Sequence, residues 1–226
     1  MDSHLSALTG EAQAGLICYV GQVFKVHPIN PQLRLMKHAA EIVRGGGVVV
    51  YPTDSTYAFG WHLGDKAALE RVRRLRGIER DHDFTLACRD LSDIATYARV
   101  ENWAYRQLKA LTPGPYTFIL RATHQLPKRL QDPKRRSIGI RVPDHTIARA
   151  LLDALGEPLM SSTLLLPKDP YPLTDPEDIR DRLERQVDAI IDGGSCGIEP
   201  TSVLDLSGDD VAIVRKGKGD VTAFGG

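Results

Sequence analysis

Several hydroxyl side chains directly follow a predicted buried strand. Residues 48–51 are apolar, and Pro52 comes next, followed by Thr53, Ser55 and Tyr57. Because proline lacks an N–H group, we expect the strand to end there, with the hydroxyl groups at its carboxyl end. In open α/β sheets, that edge is where small polar ligands bind. The alternative is a turn whose hydroxyl groups bond only to its own backbone.

Arginines are concentrated in residues 71–80, which carry five arginines against one glutamate. The planar guanidinium group suits phosphate because it donates paired, charge-assisted hydrogen bonds. We predict a helix that ends at Gly77, where a flexible residue lets Arg76 turn inward. Arg71 and Arg74 are instead typical of a solvent-facing helix surface.

A further arginine lies within a predicted strand, residues 137–142. Side chains alternate along a strand, so Gly139 and Arg141 point to one face and their neighbours to the other. A buried arginine needs an anionic partner or water, and the glycine leaves room for a ligand. His145 follows the strand and either caps the next helix or touches the same ligand. A structural carboxylate as the partner of Arg141 is an open alternative.

Two more hydroxyl pairs lie at predicted strand ends. Ser161 and Thr163 belong to a segment that continues into three leucines, and Thr201 and Ser202 begin a strand near Arg215. Hydroxyl groups in such positions can bind phosphate or carboxylate oxygens. Local capping of the backbone is the alternative interpretation for each pair.

Several kinds of catalytic site are excluded by the sequence. It contains neither a G-x-x-x-x-G-K-[ST] phosphate loop nor a G-x-G-x-x-G fingerprint, and no serine hydrolase elbow. The three cysteines are far apart and the seven histidines are scattered, which argues against a metal site or a disulfide framework. Cations and hydroxyl groups without a nucleophile favour the binding and positioning of phosphate groups over covalent catalysis.

The bulk composition is that of an ordinary globular protein. The 226 residues include 29 Lys+Arg and 29 Asp+Glu, so net charge predicts no polyanionic partner. No apolar run approaches membrane-spanning length, and the beginning of the chain does not resemble a signal peptide. Together with the cysteine usage, this predicts a cytoplasmic protein.

Helical and strand patterns alternate through most of the chain. The sequence predicts an α/β fold with a mixed sheet, in one domain over residues 20–226 after an extension over residues 1–19. Helices are predicted at 32–44, 65–76, 102–111, 146–155 and 175–186. Strands are predicted at 22–27, 47–52, 84–88, 116–121, 137–142, 159–166, 187–192, 202–206 and 211–214.

Taken in order, these segments resemble the YrdC/YciO family and its YciO branch in particular. The matching text spans about residues 24–220 and reads GGGVVVYPTDSTYAFG, RRLRGIERDHDFTLACRDL, TPGPYTFIL, SIGIRVPDH, PLMSSTLLL, PTSVLDL and VRKGKGD. The resemblance implies a single YrdC-like domain with a twisted mixed sheet and flanking helices around a concave basic cavity.

The resemblance also implies a function. Members of the family make L-threonylcarbamoyladenylate from L-threonine, bicarbonate and ATP with Mg²⁺, for the t6A modification of adenosine 37 in tRNA. No tightly bound cofactor and no metal held by the protein are expected. The family is also described as binding double-stranded RNA, so a non-catalytic RNA-binding or ribosome-associated module is the alternative. A related phosphorylated small molecule as substrate is a third possibility.

The family's motifs assign site residues by position. They map onto Thr53, Ser55, Tyr57, Arg74, Arg76, Arg141, His145, Ser161, Thr163, Thr201, Ser202 and Arg215. A lysine of the synthases has no counterpart here, and Arg80 and His82 lie nearby. Leu165 replaces the asparagine of the synthases' S-A-N element. These departures imply weak or altered synthase activity.

Overall fold

The computed structural model of the chain describes residues 21–79, 84–132 and 134–225. The predicted extension, residues 1–19, lies outside them. In this part of the chain, eleven strands form one sheet with the order β1-β9-β2-β3-β8-β4-β7-β6-β10-β11, and β5 pairs with β6. The strands are β1 Gln22–Lys25, β2 Val49–Pro52, β3 Tyr57–His62, β4 Thr85–Ala87, β5 Ala98–Arg99, β6 Tyr116–Ala122, β7 Ser137–Arg141, β8 Leu159–Thr163, β9 Ala189–Asp192, β10 Ser202–Asp205 and β11 Ala212–Arg215.

The sheet is mixed, as the sequence predicts. Strand β9 pairs in parallel with β1 and β2, whereas the central pairs of β3 with β2 and β8 are antiparallel. Six helices accompany the described strands: α1 Leu33–Arg44, α2 Lys66–Arg76, α3 Leu91–Tyr97, α4 Asn102–Leu111, α5 Thr146–Leu155 and α6 Pro176–Leu183. The α/β class and the twisted mixed sheet are therefore confirmed.

The helix ends that position the site have clear local causes. The side chain of Asp65 caps α2 by accepting a hydrogen bond of 2.8 Å from the backbone N–H of Ala68. Gly77 ends the same helix in the left-handed region, with a φ of 61°. Gly77 has the role that the sequence predicts for it.

Three elements were not predicted. Strand β3 lacks an alternating pattern because all but its last residue are buried. Strand β5 has only two residues, and helix α3 has only seven. The side chain of Asp90 caps α3 by accepting hydrogen bonds from the backbone N–H groups of Ser92 and Asp93. Short elements give too few residues for a periodic pattern to emerge.

Several predicted boundaries also differ. Strand β8 ends at Thr163 rather than at 166 because the chain turns there, with the Leu165 N–H bonded to the Thr163 carbonyl. Pro52 is the last residue of β2 and pairs with Tyr57 across a hairpin, so the polar elbow is the loop of that hairpin. Helix α6 ends at Leu183, and β9 begins at Ala189.

Two apolar layers cover the sheet. Helices α1 and α5 pack on one face, in a cluster that includes Met36, Leu151 and Leu159. On the other face, helices α2, α3, α4 and α6 contribute to a larger cluster that includes Trp61 and Phe118. No helix in the described part of the chain is long and apolar enough to cross a membrane.

Candidate functional site

A cavity of about 550 Å³ lies on the sheet face that α1 and α5 cover only in part. Leu159 and Ala87 belong to the cluster beneath those helices. Ser161 and Thr85 lie two residues from them, so they point to the same face and line the cavity. The cavity therefore continues the helix-covered face along strands β8 and β4.

The floor of the cavity follows from strand pairing. Thr85 on β4 pairs with Ser161 on β8 and with Gly139 on β7, which in turn pairs with Ile119 on β6. These residues form a row across four strands. A Cβ atom at Gly139 would lie 3.3 Å from Thr117 Cγ2 and 3.4 Å from Thr85 Oγ1, so the glycine keeps this floor open.

The charged lining is strongly cationic. The cations that line the cavity are Arg76, Lys134, Arg135, Arg141 and Arg215, and the lining carboxylate is Asp132. One of the cations, Arg135, also forms an ion pair of 3.2 Å with Asp205. A concave surface with this balance attracts an anionic ligand.

Arg141 lies at the end of β7 and is 6% exposed. Its Nη2 donates to Asp54 Oδ1 and its Nη1 donates to Ser55 Oγ at 3.3 Å. Asp54 Oδ2 also accepts the backbone N–H of Asp144 at 3.1 Å. The carboxylate of the hairpin loop thus holds the guanidinium at the cavity wall. The Nε atom of Arg141 is buried without a hydrogen-bond partner among the described residues.

Arg76 enters the cavity from the end of α2. Its Nη1 donates to Ser162 Oγ at 2.6 Å, and its Nε lies 3.5 Å from the carbonyl of Leu165. Burial lowers the pKa of Arg76, which nevertheless stays protonated. The predicted inward turn of the last arginine of this helix is therefore present.

Arg215 and two threonines form the opposite part of the lining. The Arg215 guanidinium donates from Nε and Nη2 to the Thr201 carbonyl, at 3.1 and 2.8 Å. Thr201 Oγ1 lies 2.8 Å from Thr117 Oγ1. Burial lowers the pKa of Arg215, and its guanidinium donates to the carbonyl and hydroxyl oxygens of Thr201, a neutral residue. Its charge is thus not offset by a carboxylate in those contacts.

The structure brings seven of the predicted site residues together and leaves five outside the lining. Those at the cavity are Ser55, Arg76, Arg141, Ser161, Thr163, Thr201 and Arg215. Those outside the lining are Thr53, Tyr57, Arg74, His145 and Ser202.

Four of the five residues outside the lining have local structural roles or face solvent. Thr53 Oγ1 donates to the Thr56 carbonyl at 2.6 Å and accepts from two backbone N–H groups of the hairpin loop. Tyr57 donates to the Gly194 carbonyl at 2.7 Å, and Ser202 to the Gly219 carbonyl at 2.5 Å. Arg74 is exposed on α2. For the first three of these residues, bonding to the backbone is the interpretation that the geometry favours.

Other lining residues were not predicted as site residues. Thr85, Thr117, Lys134 and Arg135 all line the cavity. Thr117 directly follows the TPGPY segment. The sequence feature that could have identified it is a hydroxyl residue near the start of a predicted strand. Lys134 and Arg135 lie in residues 128–136, where five of the nine residues are lysine or arginine. Arg80 and His82, near the position of the missing lysine, lie outside the described residues.

His145 is half-buried near the charged groups of Asp54, Arg141, Asp144 and Lys218. Burial lowers its pKa from the ordinary 6.5, since burial disfavours the imidazolium. The unfolded chain therefore binds this proton more readily, and native stability falls as the pH drops below 6.5.

We expect His145→Gln to make the unfolding free energy less dependent on pH in that range. Urea denaturation at a series of pH values measures this, and an unchanged dependence would contradict it.

Comparisons with known proteins agree with this architecture. The family model Sua5_yciO_yrdC, described as "Telomere recombination", matches residues 41–217. The uncharacterized protein YciO of Escherichia coli K12 is 54% identical over 205 residues, which cover 91% of this chain and 100% of the relative. The crystal structure of E. coli YciO has a TM-score of 0.86, with 90% of this chain and 99% of that chain covered.

More distant relatives carry a named activity. A threonylcarbamoyl-AMP synthase of Nitrosococcus oceani is 34% identical over 126 residues, which cover 55% of this chain and 68% of the relative. The structure of P. abyssi Sua5 complexed with L-threonine has a TM-score of 0.77 at 23% identity. It covers 86% of this chain and 57% of that chain, and at this identity the likeness concerns the fold.

Proposed function

This chain belongs to the Sua5/YciO/YrdC family, and on that premise we propose that its cavity binds ATP and forms L-threonylcarbamoyladenylate. The observation that carries the proposal is the convergence of Arg76, Arg141 and Arg215 on one cavity. These residues come from distant parts of the sequence. Three guanidinium groups around one volume suit a ligand with several phosphate groups.

The proposed reaction has two steps. The amine of L-threonine and bicarbonate give a carbamate and water. A carbamate oxygen then attacks the α-phosphate of ATP, and pyrophosphate leaves. Mg²⁺ enters with the nucleotide as part of the substrate. The product would serve tRNA modification in the cytoplasm, which is where we place the protein.

The cavity residues would act by positioning and charge stabilisation. Arginine side chains offset the negative charge that builds up on the leaving pyrophosphate, and hydroxyl groups orient the bound oxygens. The relatives support this assignment, since the N. oceani protein is a synthase and the P. abyssi protein was solved with L-threonine.

Burial of Arg141 and Arg76 favours a small ligand over an RNA duplex. Arg141 is 6% exposed and Arg76 is half-buried in the cavity wall, whereas Arg215 lies at the exposed end of β11. The phosphates of a duplex contact side chains that project from a protein surface. Lys134 and Arg135 are exposed, but they belong to the rim of the same cavity.

One assay tests the proposed function. The protein is mixed with ATP, Mg²⁺, L-threonine and bicarbonate, and the adenylate and pyrophosphate are measured. We expect pyrophosphate release that requires L-threonine. Bound ATP without product would point to a different reaction at the same cavity. Absent nucleotide binding, together with salt-sensitive RNA binding, would overturn the proposal.

Leu165 provides a prediction about activity. Its carbonyl lies 3.5 Å from Arg76 Nε, two residues from the lining residue Thr163, and its apolar side chain offers no hydrogen bond to a ligand. We expect Leu165→Asn with Thr163→Ser to raise synthase turnover about tenfold, the effect of one added hydrogen bond to a charged group. Initial rates of pyrophosphate release measure it. Leu173→Asn is the control, and unchanged turnover in the double variant would show that this position does not limit activity.

A further inference from the structure

A hydroxyl pair connects the cavity with the core beneath it. Tyr51 is fully buried on β2, and its Oη lies 2.7 Å from Ser161 Oγ on β8. Ser161 lines the cavity, whereas Tyr51 does not. Tyr51 is not among the predicted site residues.

The donor in this pair follows from the surroundings of the two groups. Ser161 Oγ is the partner that the structure gives Tyr51 Oη within the described residues. Burial raises the pKa of Tyr51, so the phenol keeps its proton at neutral pH. A buried O–H group left without an acceptor costs free energy, so the phenol donates to the serine. The serine proton must then point away from Tyr51. Because Ser161 borders the cavity, this proton is free to point into it.

We propose that Tyr51 is a positioning residue that makes Ser161 a fixed hydrogen-bond donor toward an anionic oxygen in the cavity. The nearby charges support an anionic acceptor. The charge of Arg141 lowers the pKa of Tyr51 and that of Asp54 raises it, so both groups lie near the phenol. Arg141 also donates to Ser55, which belongs to the same lining. Ser161 and Arg141 thus present donors to one region, which suits a phosphate or carboxylate oxygen. Assigning that oxygen to ATP or L-threonine rests on the proposed function.

A double-mutant cycle tests the proposal. Binding of inorganic pyrophosphate and of L-threonine is measured by calorimetry for Tyr51→Phe, Ser161→Ala and the double variant. We expect each single variant to weaken one of these ligands about tenfold, the effect of one hydrogen bond to a charged group. We expect the Tyr51→Phe effect to disappear in the Ser161→Ala background. The ligand whose affinity falls in the single variants is the one that supplies the oxygen.

A matched control separates positioning from simple destabilisation. Tyr116 is also a buried tyrosine, and its hydroxyl donates to the Asp220 carbonyl at 3.1 Å without lining the cavity. Tyr116→Phe should leave both affinities unchanged. The proposal is overturned if Tyr51→Phe behaves like Tyr116→Phe, or if its effect persists without the Ser161 hydroxyl.

A neutron structure tests the donor direction without any ligand. We expect the deuterium between the two groups to lie on Tyr51 Oη and that of Ser161 to point into the cavity. A deuterium on Ser161 that points at Tyr51 would contradict the proposal even if the synthase reaction is confirmed. If the protein binds neither probe, the proposed function fails, and the neutron result still decides the role of Tyr51.

Discussion

Replacement of Arg141 by alanine is expected to weaken ATP binding at least about 100-fold, as expected for truncation of a buried charge partner. Arg141 is 6% exposed, lines the cavity and has an unpartnered Nε among the described residues. The variant removes the guanidinium from the site. Calorimetry with MgATP measures the loss, and an unchanged affinity would exclude Arg141 from the site.

The same variant is also expected to lower stability. The Arg141–Asp54 pair is buried, with 8% and 9% of the two side chains exposed. An unpaired buried carboxylate costs about 3 kcal/mol, so Arg141→Ala should unfold at a lower urea concentration. The double variant Arg141→Gln with Asp54→Asn removes both charges, and we expect it to recover stability but not binding.

A control variant separates the loss of binding from the loss of an ion pair. Arg71 donates to Asp188 at 2.6 Å and does not line the cavity. We expect Arg71→Ala to retain ATP affinity. If the Arg141→Gln with Asp54→Asn variant bound ATP normally, the ion pair would be purely structural.

Gly139→Val is expected to weaken ATP binding about 100-fold, because side-chain methyl groups would occupy the cavity floor. An added Cβ already lies 3.3 Å from Thr117 Cγ2, 3.4 Å from Thr85 Oγ1 and 3.5 Å from the Phe84 carbonyl. Valine suits a strand, so a folded protein with a smaller cavity is the expected product. Calorimetry and thermal denaturation measure the two effects.

The control for this variant is Gly208→Val. Among the described residues other than its two chain neighbours, no heavy atom lies within 4 Å of a Cβ built at Gly208, and the residue is not part of the lining. We expect this variant to bind ATP like the parent protein. Full ATP affinity in a folded Gly139→Val protein would mean that the ligand does not occupy this floor.

Local patterns predicted the parts of the site that depend on one element. The alternation of β7 placed Gly139 and Arg141 on the cavity face, opposite Ile140 of the larger core cluster. Gly77 correctly indicated the end of α2, where Arg76 turns inward. Such signals are read within a single strand or helix, so they need no knowledge of the sheet order.

Other parts of the site depend on long-range pairing. Thr85 belongs to the floor because β4 lies between β8 and β7, although these strands are far apart in the sequence. Conversely, hydroxyl type alone did not separate Ser55, which accepts from Arg141, from Thr53, which stabilises its own turn. Each hydroxyl can bond to the backbone or to a ligand, and the choice is set by tertiary contacts.

The central claim is that cations and hydroxyl groups from distant segments form one site for a phosphorylated ligand. A crystal structure of the protein with MgATP and L-threonine tests it most directly. We expect phosphate oxygens within hydrogen-bond distance of Arg76, Arg141 or Arg215, inside the cavity over Gly139. Nucleotide bound at another surface, with this cavity holding solvent alone, would contradict the account.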